Sequence, residues 1–175
     1  DDDAEQVGGC DRAPRPTGRG GAATETLGPR ARAGVEALRA DPETDLAVSA
    51  ITGSAGKTTA KDLIADLLSG QGATVWPPNS YNNEVGVPLT ALRADASTRF
   101  LVLEMGARSV GNLAYLTSLV RPDLAVELNV GSPHSGVFGS AENTARATAA
   151  PVPSPIPARL PLLNPDDVRV PATRP

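Results

Sequence analysis

The stretch "ITGSAGKTTAKDLI", residues 51–64, places two glycines, a lysine and two threonines between an apolar run and an amphipathic segment. Gly53 and Gly56 permit a tight backbone path. The N–H groups of Gly53, Ser54, Ala55 and Gly56, continued by Lys57, Thr58 and Thr59 at the start of a helix, would form an anion cradle. Lys57 is placed to reach the β- and γ-phosphates of a nucleotide, and the Thr58 hydroxyl to ligate Mg²⁺. The spacing G-x-x-G-K-T-T is shorter than the general G-x-x-x-x-G-K-[ST] pattern. The bland alternative is an ordinary strand-to-helix turn with an exposed lysine. The strand before the turn and the helix after it favour phosphate binding.

Three further features fall where a parallel sheet places its ligands, at the carboxyl ends of strands. Glu104 ends the apolar run "FLVLE" and could hold a hard cation beside the nucleotide, against the alternative of a solvated strand-end acid. Asn129 and His134, the single histidine, follow the next run in "LNVGSPHSGVFGS". Asn129 could orient that loop or a ligand, and His134 is a candidate site residue rather than a plain surface histidine. The segment "NSYNNEVG" (79–86) suits recognition of a polar substrate and turn formation equally well.

The elements that must position these residues follow from periodicity. "LAVSAI" (46–51), "ATVWPP", "RFLVLEMG" (99–106) and "DLAVELNVG" (123–131) read as strands. Ala60, Leu63, Ile64, Leu67 and Leu68 recur at helical spacing, as do Val110, Leu113, Leu116, Leu119 and Val120 before Pro122. "NNEVGVPLTALRAD" begins as a loop and turns helical after Pro88. Strands alternating with helices predict an α/β fold, a mostly parallel sheet flanked by helices.

Residues 1–30 carry few large apolar side chains and are expected to be disordered, with a short helix over 31–40 that turns Val35 and Leu38 inward. Residues 149–175 hold eight of the 17 prolines and are expected to be extended or disordered. The ordered domain is expected over 31–148. A net charge of −4 offers no attraction for nucleic acid or an anionic membrane. No apolar stretch reaches the roughly 18 residues of a membrane span. One cysteine, Cys10, precludes an internal disulfide and fits a reducing cytoplasm, the expected location. No signal-peptide pattern is visible, and the absence of an initiator methionine suggests a fragment.

Together, "AITGSAGKTTAKDLI", "NSYNNEVGVPLTALRAD", "FLVLEMGARSVGNLAYL", "RPDLAVELNVGSPHSGVFGS" and, more weakly, "LLNPDDVRV" resemble the central ATP-binding domain of the Mur ligase family. The likeness is strong over about residues 48–147, and "TLGPRARAGVEALRAD" resembles the helix leading into that domain. The "NNEVGVPLT" element points to the member that joins D-alanyl-D-alanine to UDP-N-acetylmuramoyl-tripeptide in peptidoglycan synthesis, and so in building the cell wall. The resemblance implies ATP and Mg²⁺ as cofactors, an acyl-phosphate intermediate and cytoplasmic small-molecule substrates. It implies that Lys57 and the loop amides hold the triphosphate, with Thr58 and Glu104 on one Mg²⁺ and His134 on a second. Asn82 and Asn83 would lie against the muramoyl-peptide.

This chain departs from the family pattern at Thr148, in "ARATAAPV", where the family carries a lysine that becomes carbamylated and supports the second Mg²⁺. Glu127 stands where the family is apolar. Two other readings stay open: a nucleotide-binding remnant without catalysis, and an unrelated phosphate-loop ATPase or kinase. The sequence read as a fragment predicts weak nucleotide binding at best and no ligation. Positioning of two substrates is worth roughly 7–11 kcal/mol of barrier, and Thr148 cannot supply the missing carboxylate. The check is product formation from UDP-muramoyl-tripeptide, D-alanyl-D-alanine and ATP. Turnover above a Lys57→Ala control would refute the expectation.

Overall fold

The computed structural model describes residues 21–106, 112–129, 160–167 and 170. In chain order the elements are α1 (Gly21–Ala40), β1 (Ala47–Thr52), α2 (Lys57–Ser69), β2 (Thr74–Val75) and α3 (Gly86–Ala91). β3 (Phe100–Glu104), α4 (Asn112–Val120), β4 (Leu124–Glu127) and β5 (Leu160–Leu163) follow. The strands form one sheet in the order β2-β3-β1-β4-β5, and every pairing is parallel. The expected α/β fold with a parallel sheet is observed.

The alternation of side chains along a strand sorts the core into two layers. Val48 and Ala50 of β1, with Leu101 and Leu103 of β3, face one side. There they meet Ala31 and Val35 of α1, Val87 and Ala91 of α3, and Leu113, Leu116, Leu119 and Val120 of α4. Ile51 and Val102 face the other side and pack with Ala60, Ile64, Ala65 and Leu68 of α2. Asp123 ties the amino ends of the strands together. Its carboxylate accepts from the Val48 N–H at 2.8 Å and from the Arg39 guanidinium, joining α1 to the sheet.

Several expected boundaries shift. α1 runs from Gly21, so residues 21–30, expected to be disordered, are its first half, with Pro29 inside it. The sequence pattern is weak there, and the close tertiary contact of this half falls near its end, at Gly28. Ala31 and Val35 are buried, and α1 approaches α4 so closely that a Cβ on Gly28 would lie 2.6 Å from the Tyr115 hydroxyl. α3 starts at Gly86, two residues before Pro88, which fits because first-turn N–H groups have no intrahelical acceptor. Leu63 and Leu67, expected to face the core, are 60% and 71% exposed. The inner face of α2 is instead Ala60, Lys61, Ile64, Ala65 and Leu68, so its apolar pattern is broken by a buried lysine. Leu160–Leu163, in the proline-rich zone, forms an edge strand on β4. Pro161 is tolerated there because an edge strand is paired on one side only. Val110 lies outside the described residues. Among those described, no helix is long and apolar enough to cross a membrane.

Burial sets the expected stability effects. Leu116→Ala, at a fully buried position of α4, should lower the unfolding free energy by about 2–5 kcal/mol. Leu67→Ala on the exposed side of α2 should change it by no more than about 0.5 kcal/mol. Urea denaturation of the two variants checks the assignment of faces.

Candidate functional site

The strand order turns back at β1. The chain leaves it for β2 and β3 on one side, then crosses to β4 on the other. The crevice outside the carboxyl ends of β1, β3 and β4 is therefore a topological switch point, where open parallel sheets bind ligands. The loop Gly53–Gly56 follows β1, Glu104 ends β3, and Asn129 lies just after β4.

Glycine is required at both ends of the loop. Gly53 has φ 142° and Gly56 φ 79°, in the region disfavoured for other residues. A Cβ on Gly53 would also lie 3.1 Å from the Leu128 side chain and 3.2 Å from the Asn129 nitrogen. Gly56 caps α2 without a side chain, and the first backbone bond of the helix runs from Ala60 N–H to Gly56 O at 2.9 Å. The N–H groups of Lys57, Thr58 and Thr59 therefore have no intrahelical acceptor, and the positive end of the helix dipole opens onto the crevice.

Asn129 organises the loop from the neighbouring strand. Its Oδ1 accepts from the N–H groups of Ser54 and Ala55, both at 2.9 Å, and its Nδ2 donates to Ala55 O at 3.1 Å. Of the two roles left open for Asn129, the geometry displays loop orientation. The Ser54 and Ala55 amides, expected in the anion cradle, are turned to Asn129. Lys57 folds back over the loop and donates to Gly53 O at 2.7 Å.

A polar cluster lies beside the first turn of α2. Thr58 Oγ1 donates to Glu104 Oε2 at 2.9 Å, and Asn82 Nδ2 donates to Glu104 Oε1 at 2.8 Å. Ser80 Oγ lies 2.6 Å from Thr58 Oγ1. Since the single Thr58 proton goes to Glu104, Ser80 is the donor in that pair. Glu104 is 1% exposed, and among the described residues no lysine or arginine pairs with it. A buried carboxylate held only by neutral donors is costly, and a cation beside it offsets that cost. The oxygens of Thr58, Ser80 and Glu104 are hard ligands of the kind Mg²⁺ takes. Among the described residues, no three His, Cys, Asp or Glu side chains converge into a metal cage.

The "NSYNNEVG" segment divides its work. Asn82 reaches Glu104 and packs on Gly106, where a Cβ would lie 3.1 Å from the Asn82 side chain. Asn83 does not turn toward the cluster with its oxygen. Its Oδ1 accepts from Val85 N–H at 3.1 Å and Gly86 N–H at 2.8 Å, initiating α3. Thr59 is exposed on the first turn of α2. His134 and Thr148 lie outside the described residues. Sequence reading missed Ser80 and Lys61 as individuals. The signal for Lys61 was its place among Ala60, Ile64 and Leu68 on a face that is otherwise apolar.

Residues 51–168 match the family model described as the Mur ligase middle domain. The UDP-N-acetylmuramoyl-tripeptide–D-alanyl-D-alanine ligase of Mycobacterium leprae is 46% identical over 127 residues, which cover 73% of this chain and 25% of that protein. The chain therefore spans about a quarter of the length of the curated relatives it matches. Among solved structures, a MurF of Acinetobacter baumannii superposes with TM-score 0.78 at 29% identity, covering 86% of this chain and 32% of the other. The MurF ligase of Thermotoga maritima in complex with ADP gives TM-score 0.72 at 34% identity, covering 86% of this chain and 35% of the other. With its glycine loop, its acidic strand end and the match over most of its length, the chain belongs to the Mur ligase family, through that family's middle domain.

Proposed function

We propose that this chain is the nucleotide-binding part of an ATP-dependent ligase that adds D-alanyl-D-alanine to UDP-N-acetylmuramoyl-tripeptide. One observation carries the reading: the Thr58 hydroxyl, on the first turn of a phosphate-loop helix, is bonded at 2.9 Å to the buried carboxylate of Glu104. That pairing suits a cation held beside nucleotide phosphates. The names of the relatives supply the substrates.

In this reading the terminal carboxylate of the tripeptide attacks the γ-phosphorus of ATP, and ADP leaves. The amine of D-alanyl-D-alanine then attacks the acyl phosphate, inorganic phosphate leaves, and an amide forms. Bound Mg²⁺ would offset charge on the transferring phosphoryl group. Thr58, Glu104 and Ser80 are the residues that would hold it, with His134 as a further candidate. The Lys57 ammonium, now on Gly53 O, would swing to the phosphates as a charge-assisted donor. The amides of Gly56, Lys57, Thr58 and Thr59 would complete the anion site. Asn129 would keep the loop in shape before nucleotide arrives, so little ordering cost remains at binding. Asn82 would fix the Glu104 carboxylate, and Asn82 and Asn83 lie on the loop that would meet the muramoyl-peptide. Small-molecule substrates and a cytoplasmic location follow from the same reading.

The reading as a nucleotide-binding remnant rests on Thr148 and likewise expects nucleotide binding with no ligation by this chain. Calorimetry with ATP and Mg²⁺ tests what the two share. Lys57→Ala should weaken binding by about 1.5–3 kcal/mol, the worth of a hydrogen bond from a charged donor. Unchanged affinity would show that the loop is not the phosphate site. Thr58→Val and Glu104→Gln should each reduce the gain in affinity that Mg²⁺ confers, while binding in EDTA persists. If Mg²⁺ enhances the variants as it does the parent, these two residues do not hold the cation.

A further inference from the structure

Lys61 is the largest fully buried side chain among the described residues, with 0% exposure. It sits three residues after Thr58 and four after Lys57, on the same face of α2. Its ammonium has three donors and three acceptors. It lies 2.8 Å from Asp62 Oδ1, 2.8 Å from Pro77 O and 3.4 Å from Asn79 O. Burying an ammonium is expensive, and an apolar side chain of similar length is often as stable or more so. Core stability therefore does not account for a charge here.

What the charge does is set by its partners. Pro77 and Pro78 have no N–H groups, so the chain leaving β2 presents carbonyls without donors of its own and cannot continue the ladder. Lys61 supplies the donors. The residues just beyond the clamped carbonyls are the ones that build the cluster. Ser80 meets Thr58, Asn82 meets Glu104, and Asn82 O accepts from Gly106 N–H at 2.8 Å. Lys61 and Thr58 share one rigid helix, so the loop is referenced to the same body that carries the phosphate-binding residues.

We propose that Lys61 is a positioning residue. Its ammonium clamps the Pro77 and Asn79 carbonyls to α2 and so holds Ser80 and Asn82 in place around the Thr58–Glu104 pair. The proposal rests on the reading of that pair as the cation and nucleotide site. Residues that orient a metal-binding group typically change metal affinity by about 10–100-fold when removed. The polar partners of the Lys61 ammonium are Pro77 O, Asn79 O and Asp62, none of them in the Gly53–Gly56 loop, so anion binding by that loop should be independent of the clamp.

The test uses the full chain and Lys61→Met, with two readouts. The first is hydrogen exchange at the Gly86 and Gly106 amides, bonded to Asn83 Oδ1 and Asn82 O, with Met105 N–H on Ile51 O as an internal control. Exchange should quicken at the first two and not at the control. The second is ADP affinity in Mg²⁺ divided by ADP affinity in EDTA. This ratio should fall about tenfold or more, with affinity in EDTA unchanged. A folded variant with an unchanged ratio, or with equal loss in both buffers, overturns the proposal, since a general loss of structure would move both affinities. Unchanged exchange at Gly86 and Gly106 also overturns it. If the parent chain shows no effect of Mg²⁺ on ADP binding, the functional reading fails and the positioning role with it. Exchange then reports only whether the clamp exists. If Lys61→Met does not fold, the parent is read by ¹⁵N NMR. The Lys61 ammonium should be protected from solvent at neutral pH and coupled through its hydrogen bond to the Pro77 carbonyl carbon. A solvent-like ammonium overturns the clamp.

Discussion

A carboxylate buried at the end of a central strand must be satisfied, and the arrangement around Glu104 follows from that need. Thr58 and Asn82 each donate to one of its oxygens, from a helix on one side and a loop on the other. Both bonds come from neutral groups. They stabilise the charge in part and leave oxygen lone pairs facing the positive end of α2. Oxygen groups gathered in this way are hard donors of the kind a divalent cation takes.

The scaffold places Glu104 correctly because the sheet is parallel. All strand carboxyl ends lie on one edge, so three segments far apart in sequence bring the glycine loop, Glu104 and Asn129 to one crevice. The register pairs Ile51 with Glu104 and Thr52 with Glu127. The loop after β1 thus begins level with the acidic residue of β3 and beside the segment that carries Asn129. Thr52 reinforces the seam, its buried hydroxyl donating to Met105 O at 3.0 Å. Apolar side chains pack on both faces of the sheet behind this edge.

The same need explains why the loop after β2 carries so much polar chemistry. Two prolines end the strand, and a buried lysine, a serine and an asparagine then attach the following residues to α2 and β3. Asn83 starts α3 and locks the far end of the loop. Asn82 bonds to Glu104 while the adjacent Asn83 starts a helix, and composition alone could not separate two such roles in one short segment.

The order of elements from β1 to β4, the parallel sheet, the glycine loop and the strand-end position of Glu104 were determined by the sequence by itself. Each is a local matter: alternation of apolar residues, φ angles open to glycine, and proline's missing N–H act within a few residues of chain. Tertiary structure decided the rest. Thr58 and Glu104 are 46 residues apart, and their bond exists only because β1 and β3 are neighbours. α1 starts at Gly21, in a stretch with almost no periodic signal, and meets α4 at Gly28, while pairing with β4 makes a strand of Leu160–Leu163 despite Pro161. Helical spacing placed Leu63 and Leu67 inside, yet the layer they would have joined is filled by Lys61 and Ala65. Periodicity shows that a face exists, but which residues it buries depends on the partners that distant segments bring to it.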